Sequence, residues 1–216
     1  MKMNKQNFFL IGGMATAICL TIGAMIATTA EGETPDLVIG TQAPNFTGTT
    51  SNGETVSLSD YAGQTVVLEW TNHDCPFVGK HYDAQYTNMQ SQQLAADADG
   101  VVWLTIISSA PGKQGHVTPA VANQLTEQRG AAPDHVILDE TGQIGHAYSA
   151  KTTPHMYVIE PDGTLAYQGA IDSIASARAR DIPAATQYVT AALAALNAGD
   201  EPDVTSTKAY GCSVKY

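Results

Sequence analysis

The residue in this chain best placed to do chemistry is Cys75. It stands in the run Trp70-Thr71-Asn72-His73-Asp74-Cys75-Pro76-Phe77-Val78, where an apolar stretch rich in β-branched residues gives way to a stretch with helical spacing. A cysteine at the first turn of a helix faces unpaired backbone N–H groups and the positive end of the helix dipole, and both favour thiolate over thiol. Such placement lowers a cysteine pKa from its ordinary value of about 8.5. Pro76 suits the first helical position because it has no N–H to lose there. His73, Lys80 and His81 add positive charge nearby, and Asp74 works against them. The plainer alternative is a buried, inert cysteine, which an exposed strand-to-helix junction disfavours.

Two further features bear on Cys75. Cys212, close to the C-terminus, is the other cysteine outside the N-terminal apolar segment that holds Cys19. It can resolve an oxidised Cys75, form a structural disulfide or stay a free tail thiol. Gly211 and Ser213 beside it are small and permit bending, and the polar stretch 199–207 is expected to be mobile. Thr153-Pro154 precedes a buried apolar run; a proline there cannot donate to a sheet ladder, so it belongs at a turn or an edge. The histidines at 73, 81, 116, 135, 146 and 155 raise a metal question, since Cys75 with His73, His81 or His155 could ligate a soft metal such as copper.

The elements that must position these residues follow from pattern. Residues 45–50 and 55–58 flank Ser51-Asn52-Gly53, a strong hairpin signal. Strands are expected over 65–70, 101–107, 135–138, 155–160 and 164–168, with Pro161-Asp162-Gly163 turning the last two into an antiparallel hairpin. Helices are expected from Pro76 to Asp97, from about 119 to 128, and over 184–198, where Gly199 stops the last one. This order predicts an α/β domain: a mixed central sheet flanked by helices, with an N-terminal β-hairpin extension.

The chain ends add location. Positive residues 1–5, an uncharged apolar run from Phe8 to Ala27 and the small residues Thr28-Thr29-Ala30 form the pattern of a secretory signal peptide cleaved near Ala30. An uncleaved anchor is the alternative, because about 20 apolar residues can span a bilayer. The expected organisation is therefore a signal peptide at 1–30, one domain at 31–198 and a tail at 199–216 carrying Cys212. An exported chain meets oxidising conditions, under which paired cysteines form disulfides. The formal charge of −11 disfavours nucleic-acid and anionic-membrane partners. Hydrophobic residues at 44% and charged residues at 14% fit a folded domain and exclude a disordered chain.

The chain resembles the redoxin branch of the thioredoxin superfamily, close to the alkyl hydroperoxide reductase and thiol-specific antioxidant group. The resemblance lies in Ala43-Pro44-Asn45-Phe46, in residues 56–61, in Trp70 through Tyr82, in residues 101–107 and in residues 150–159; a subgroup also ends in Gly-Cys-Ser-Val-Lys-Tyr, as residues 211–216 do. It implies a thioredoxin-like fold in which Thr153 and a cis Pro154 pack against Cys75 and leave the Thr153 backbone free to pair with a bound partner chain. It also implies an exported thiol oxidoreductase without cofactor or metal: Cys75 as nucleophile, Cys212 as the resolving candidate, and Thr153 and Pro154 as the orienting wall. The substrate would be a peroxide or a protein disulfide, a thiol protein would be the reductant, and an oligomer is possible.

Departures from the family limit this. Val78 removes the Cys-x-x-Cys dithiol, and Gly79 removes the Cys-x-x-x-Cys pattern of copper-delivery relatives. Thr71 lies four residues before Cys75, where a peroxiredoxin has threonine three before, and no arginine stands at His155 or Met156. The Arg-Thr pair with which peroxiredoxins activate peroxide is therefore not in its usual positions here. A non-catalytic binding module on this fold and a Cys/His copper-binding protein are the alternatives.

Overall fold

The computed structural model describes residues 37–216. The signal peptide expected at 1–30 lies outside them. Strands β1 (Thr47–Thr50) and β2 (Thr55–Ser57) form the expected hairpin, and Gly53 takes the positive φ of 83° that the Asn-Gly turn requires. Next come β3 (Val66–Trp70), helix α1 (Pro76–His81), helix α2 (Asn88–Ala98) and β4 (Val102–Ile107). Helix α3 (Pro119–Gln128) begins at Thr118, whose hydroxyl accepts from Val121 N at 3.4 Å. Then follow β5 (His135–Leu138), α4 (Gln143–Ala147), β6 (Thr152–Thr153), β7 (His155–Ile159), β8 (Leu165–Gly169), α5 (Tyr188–Ala198) and β9 (Cys212–Ser213).

The main sheet has the order β2-β1-β5-β4-β3-β7-β8. Strands β3, β4 and β5 run parallel, while β1, β7 and β8 pair antiparallel, so the sheet is mixed as expected. The hairpin is more than an extension, because β1 pairs with β5 and becomes part of the sheet. All five residues of β3 are buried, and its two-residue period splits them between two cores. Val66, Leu68 and Trp70 pack with Phe46, Leu104, Ile106, Tyr148 and Tyr157 on one face. On the other face Val67 packs with Met89, Trp103, Met156, Val158, Tyr167 and Val189. Burying each of these large side chains stabilises the fold by about 1.5–3 kcal/mol before ordering entropy is charged against it.

Two expectations change. The single helix expected from Pro76 to Asp97 is two helices, broken over 82–87. Asp83 Oδ1 accepts from Gln85 N at 2.9 Å and from Tyr86 N at 3.3 Å, and Thr87 takes φ 43°. A short polar side chain competing for backbone N–H groups interrupts a helix in this way. The break turns Tyr82 inward, where its hydroxyl donates to Glu69 at 2.9 Å.

The tail, expected to be mobile, is stitched to the domain along its length. Gln168 N donates to Thr205 O at 3.0 Å, and Thr207 N donates back to Gln168 O at 3.1 Å. Strand β9 pairs antiparallel with β6, matching Thr153 to Cys212 and Thr152 to Ser213. Val214 N donates to Lys151 O at 3.1 Å, and Ala110 N to Lys215 O at 2.8 Å. Open sheet edges offer unpaired backbone groups, and a polar chain with small residues at the close approaches satisfies them.

Candidate active site

Cys75 sits at the N-cap of α1, at the C-terminal end of β3. Asn72 shapes the approach: its carbonyl accepts from Cys75 N at 3.1 Å and its Oδ1 from Asp74 N at 2.9 Å. Asn72 Nδ2 in turn donates to Gln114 O at 3.2 Å, which ties this turn to the loop after β4. The Thr153–Pro154 peptide is cis. It brings Thr153 beside Cys75, whose thiol donates to Thr153 O at 3.1 Å. Cys212, opposite Thr153 in the β6–β9 pair, hydrogen-bonds the Cys75 thiol. The structure therefore brings Cys75, Thr153, Pro154 and Cys212 together, with both cysteines reduced.

The two sulfurs differ in exposure and acidity. Cys75 is 1% exposed, whereas Cys212 is partly open to solvent. Burial by itself would raise the Cys75 thiol. Hydrogen bonds from the Cys212 thiol, from the backbone N–H groups of Val78 and Cys212 and from the Thr153 side chain outweigh it, and its pKa lies below the ordinary thiol value. Cys212 is pushed up to about 11, first by burial and then by the Cys75 group it faces, with Lys215 pulling the other way. Two otherwise identical side chains are thus set apart, Cys75 toward the thiolate and Cys212 toward the protonated thiol.

The cations expected around Cys75 act elsewhere. Lys80 is fully buried and donates to Asp172 Oδ2 at 2.6 Å, to Ile174 O at 2.8 Å and to Tyr210 Oη at 3.2 Å. His81 accepts from Asn88 Nδ2 at 2.7 Å and lies 3.3 Å from the Tyr210 hydroxyl. Burial, helped by Lys80 and opposed by Asp172, lowers its pKa to about 4, so it is neutral. Help for the Cys75 thiolate comes instead from local hydrogen bonds. Arg129, at the C-terminal cap just past α3, donates to His73 O at 2.9 Å and stacks over the Tyr82 ring at 4.8 Å. It braces the Cys75 loop from behind. Thr71, His73 and Arg129 line a small cavity that Cys75 does not border.

The histidines do not gather into a metal site. His155 is buried with Nδ1 3.0 Å from the Tyr157 hydroxyl, and His73 Nε2 lies 3.3 Å from Asp74. Among the described residues no group of three or more His, Cys, Asp or Glu side chains is arranged to hold a metal ion.

Three groups near the site were not singled out from sequence. Glu69, one pleat before Trp70 on β3, is fully buried and accepts from Tyr82, from Trp103 Nε1 at 3.0 Å, from Thr105 at 3.2 Å and from Gln93 at 3.3 Å. Burial raises its carboxyl above the usual range despite those donors. An acid inside an apolar strand, six residues before the cysteine, was the available signal. Tyr210 and Tyr216 anchor the tail on either side of Cys212. The Tyr210 hydroxyl donates to Asp172 within the Lys80 cluster. Tyr216 stacks on His146 at 3.9 Å and donates to Ala150 O at 2.8 Å. Two aromatic residues bracketing a tail cysteine were the signal there.

Comparison with known proteins agrees with this geometry. The AhpC/TSA family profile matches residues 39–168. The thiol-disulfide oxidoreductase ResA of Bacillus subtilis is 26% identical over 168 residues, covering 76% of this chain and 85% of that protein. Among solved structures, an uncharacterised conserved protein from Geobacillus kaustophilus superposes with a TM-score of 0.70 at 24% identity, covering 83% of this chain and 93% of its own. A hypothetical protein from Sinorhizobium meliloti 1021 gives 0.67 at 19% identity, covering 83% and 94%. These two likenesses speak for the fold. With the profile spanning more than half of the chain and a thioredoxin-like sheet carrying the Cys75 junction, the chain belongs to the AhpC/TSA family, the redoxin branch of the thioredoxin-like oxidoreductases.

Proposed function

We propose that this chain is an exported thiol–disulfide oxidoreductase in which Cys75 and Cys212 form a redox couple across the Thr153 edge. The observation that carries this reading is the β6–β9 pair, in which a cysteine-bearing strand lies on the Thr153 backbone with its thiol against Cys75. That is the arrangement a bound cysteine-containing chain would adopt.

The cycle follows from the two thiols. With the tail lifted, the Cys75 thiolate attacks a substrate disulfide, and the departing sulfur leaves with the bonding electron pair. Cys212, returning to the edge, loses its proton and attacks the Cys75 sulfur, expelling the second substrate thiolate. The products are a reduced substrate and a Cys75–Cys212 disulfide. Thr153 and Pro154 form the wall against which the attacked sulfur is lined up. The name of the Bacillus subtilis relative supports a disulfide substrate. Export rests on the apolar N-terminal segment of the sequence.

A peroxide substrate is the second reading, favoured by the family match and by a buried nucleophile that a small oxidant reaches more easily than a protein does. Parallel assays separate the two: insulin disulfide reduction with dithiothreitol, and peroxide consumption with the same reductant. Under the first reading insulin reduction depends on Cys75 and disappears in Cys75→Ser. Peroxide consumption lost in Cys75→Ser, with insulin untouched by the wild type, makes this a peroxidase. Neither activity in the wild type leaves the binding-module alternative.

A further inference from the structure

Cys75 is 1% exposed, enclosed by the Thr153 backbone and the N-terminus of α1, with the tail strand paired to that same Thr153 edge. In the reduced chain the tail can lift, because no covalent bond holds it: backbone hydrogen bonds, Thr207 against Tyr167 and Ala170, Val214 against the core, and the Tyr210 and Tyr216 contacts are all reversible. Oxidation removes that freedom. Once Cys75 and Cys212 are joined, the strand over Cys75 is tied down at the very point where it would have to open. A disulfide also needs its two Cα atoms within about 7 Å, so the oxidised tail must stay seated on the Thr153 edge.

We infer that in the oxidised chain an outside thiol attacks the sulfur of Cys212, so that the mixed disulfide of the regenerating step forms on Cys212 and Cys75 leaves as the thiolate. This deepens the proposed two-cysteine cycle and rests on it. In the step, the incoming thiolate forms a bond to Cys212 Sγ, the Cys75–Cys212 bond breaks, and its electron pair goes to Cys75 Sγ. A second thiol then attacks the adduct, releasing an external disulfide and Cys212, which takes up a proton. No other oxidant or reductant is needed.

Geometry and leaving-group chemistry agree. Cys212, on the tail strand of the two-stranded sheet, is the partly exposed cysteine, while Cys75 lies buried against Thr153 and the N-terminus of α1. Exchange also runs faster when the departing thiol is the more acidic one. The groups around Cys75 hold its thiol low, and those around Cys212 push it up. Cys212 is thus the contact for the reductant and Cys75 the contact for the oxidised substrate, with the tail deciding which is presented.

The test uses the wild-type chain without its N-terminal apolar segment. It is oxidised with diamide, the Cys75–Cys212 bond is verified by peptide mapping, and glutathione is added for a single turnover. Samples are quenched in acid within the first few per cent of reaction, alkylated and mapped. The inference expects glutathione on Cys212 with alkylated Cys75, in excess over the opposite pattern by about tenfold or more. Glutathione mainly on Cys75, or an even split, overturns it while leaving the two-cysteine cycle standing. If no Cys75–Cys212 bond forms before glutathione is added, it is the cycle itself that fails, and this inference falls with it.

Discussion

Gly211 and Thr153 meet backbone to backbone: a Cβ placed on Gly211 would lie 2.0 Å from the Thr153 carbonyl oxygen and 2.8 Å from its carbonyl carbon. Gly211 also has φ 137°, a conformation other L-residues avoid. No side chain can give way there, because the obstructing atoms are main chain. Glycine is therefore what lets the tail lie close enough for Cys212 to face Cys75. Gly211→Ala should undock β9 without touching either thiol or the main sheet. Alkylation of Cys75 by iodoacetamide should rise by about tenfold or more as its cover is lost, and the Cys75–Cys212 disulfide should form more slowly. Unchanged labelling and unchanged disulfide formation would show that the tail tolerates the methyl group.

The Cys212 thiol is a hydrogen-bond partner of Cys75 apart from any redox role, and that contribution can be isolated. In Cys212→Ala the Cys75 thiolate loses this donor, and its titration, followed at 240 nm, should move up toward the ordinary thiol value. Cys212→Ser keeps a hydroxyl donor and should keep most of the depression. Equal titrations in the two variants would assign the lowering to the backbone N–H groups of Val78 and Cys212 and the Thr153 side chain. The depressed Cys75 group favours folding above its folded pKa, and this contribution is lost as pH falls through that value.

Lys80 and Asp172 form a fully buried ion pair that the Tyr210 hydroxyl completes. Lys80→Met should destabilise the chain by about 3–5 kcal/mol, because it leaves the Asp172 carboxylate buried without its cation. Tyr210→Phe removes one hydrogen-bonding group and should cost about 1–3 kcal/mol. It should also raise Cys75 labelling, since Tyr210 ties the tail to this cluster. Urea denaturation measures the first two effects. Equal losses in the two variants would mean that the ion pair carries no more than an ordinary hydrogen bond.

Two buried histidines set an acid limit on stability. His81 and His155 are both lowered to about 4, chiefly by burial, with Lys80 adding to the first and Lys151 to the second. Unfolding lets each bind a proton near its ordinary pKa of about 6.5, so stability is lost as pH falls from about 6.5 to about 4. Each histidine contributes on the order of 3 kcal/mol over that window. Glu69, raised by burial, works in the opposite sense above its ordinary range and flattens the slope. Thermal melts from pH 7 to pH 4 should show the decline, and His155→Phe should make it shallower. A variant profile parallel to the wild type would remove His155 from the account.

Glu69 draws on donors from β4, α2 and the break between α1 and α2, so its replacement separates charge from hydrogen bonding. Glu69→Gln keeps the volume and part of the network. Glu69→Leu strands the Trp103 and Gln93 donors in the core and should cost about 2–4 kcal/mol more than the amide does. Chemical denaturation compares the two. A leucine variant as stable as the glutamine variant would mean that water takes over those donors.

Much of this protein was legible in its sequence. Apolar, β-branched runs placed β3, β4, β5 and β7 to within a residue or two, because a strand buried on both faces needs such residues whatever lies beside it. The Asn-Gly hairpin, the Pro-started helix α3 and the Gly199 stop of α5 were equally plain, since backbone conformation at those points depends on the local residue. Cys75 and the Thr153-Pro154 pair stood out for the same reason: a proline beside a cysteine or at a strand start leaves few local arrangements. The break after α1 was less legible, because Asp83 and Thr87 oppose a helix only weakly and the pull of Tyr82 toward Glu69 comes from another strand.

What the tertiary structure alone decided is where the second thiol lies. Nothing local distinguishes a tail that waves from a tail that docks. The difference lies in free edges on β6 and β8, in the buried Lys80–Asp172 cluster that receives Tyr210, and in the α4 surface that receives Tyr216. Those partners are distant in sequence and come together only when the sheet is assembled. The same holds for charge: Lys80 and His81 look like cations beside a thiolate, yet the fold buries one in an ion pair and leaves the other neutral. Residue types and spacing determined where Cys75 sits and what backbone surrounds it. Long-range packing determined which sulfur is hidden and which is shown, because exposure belongs to the assembled surface and to no short stretch of chain.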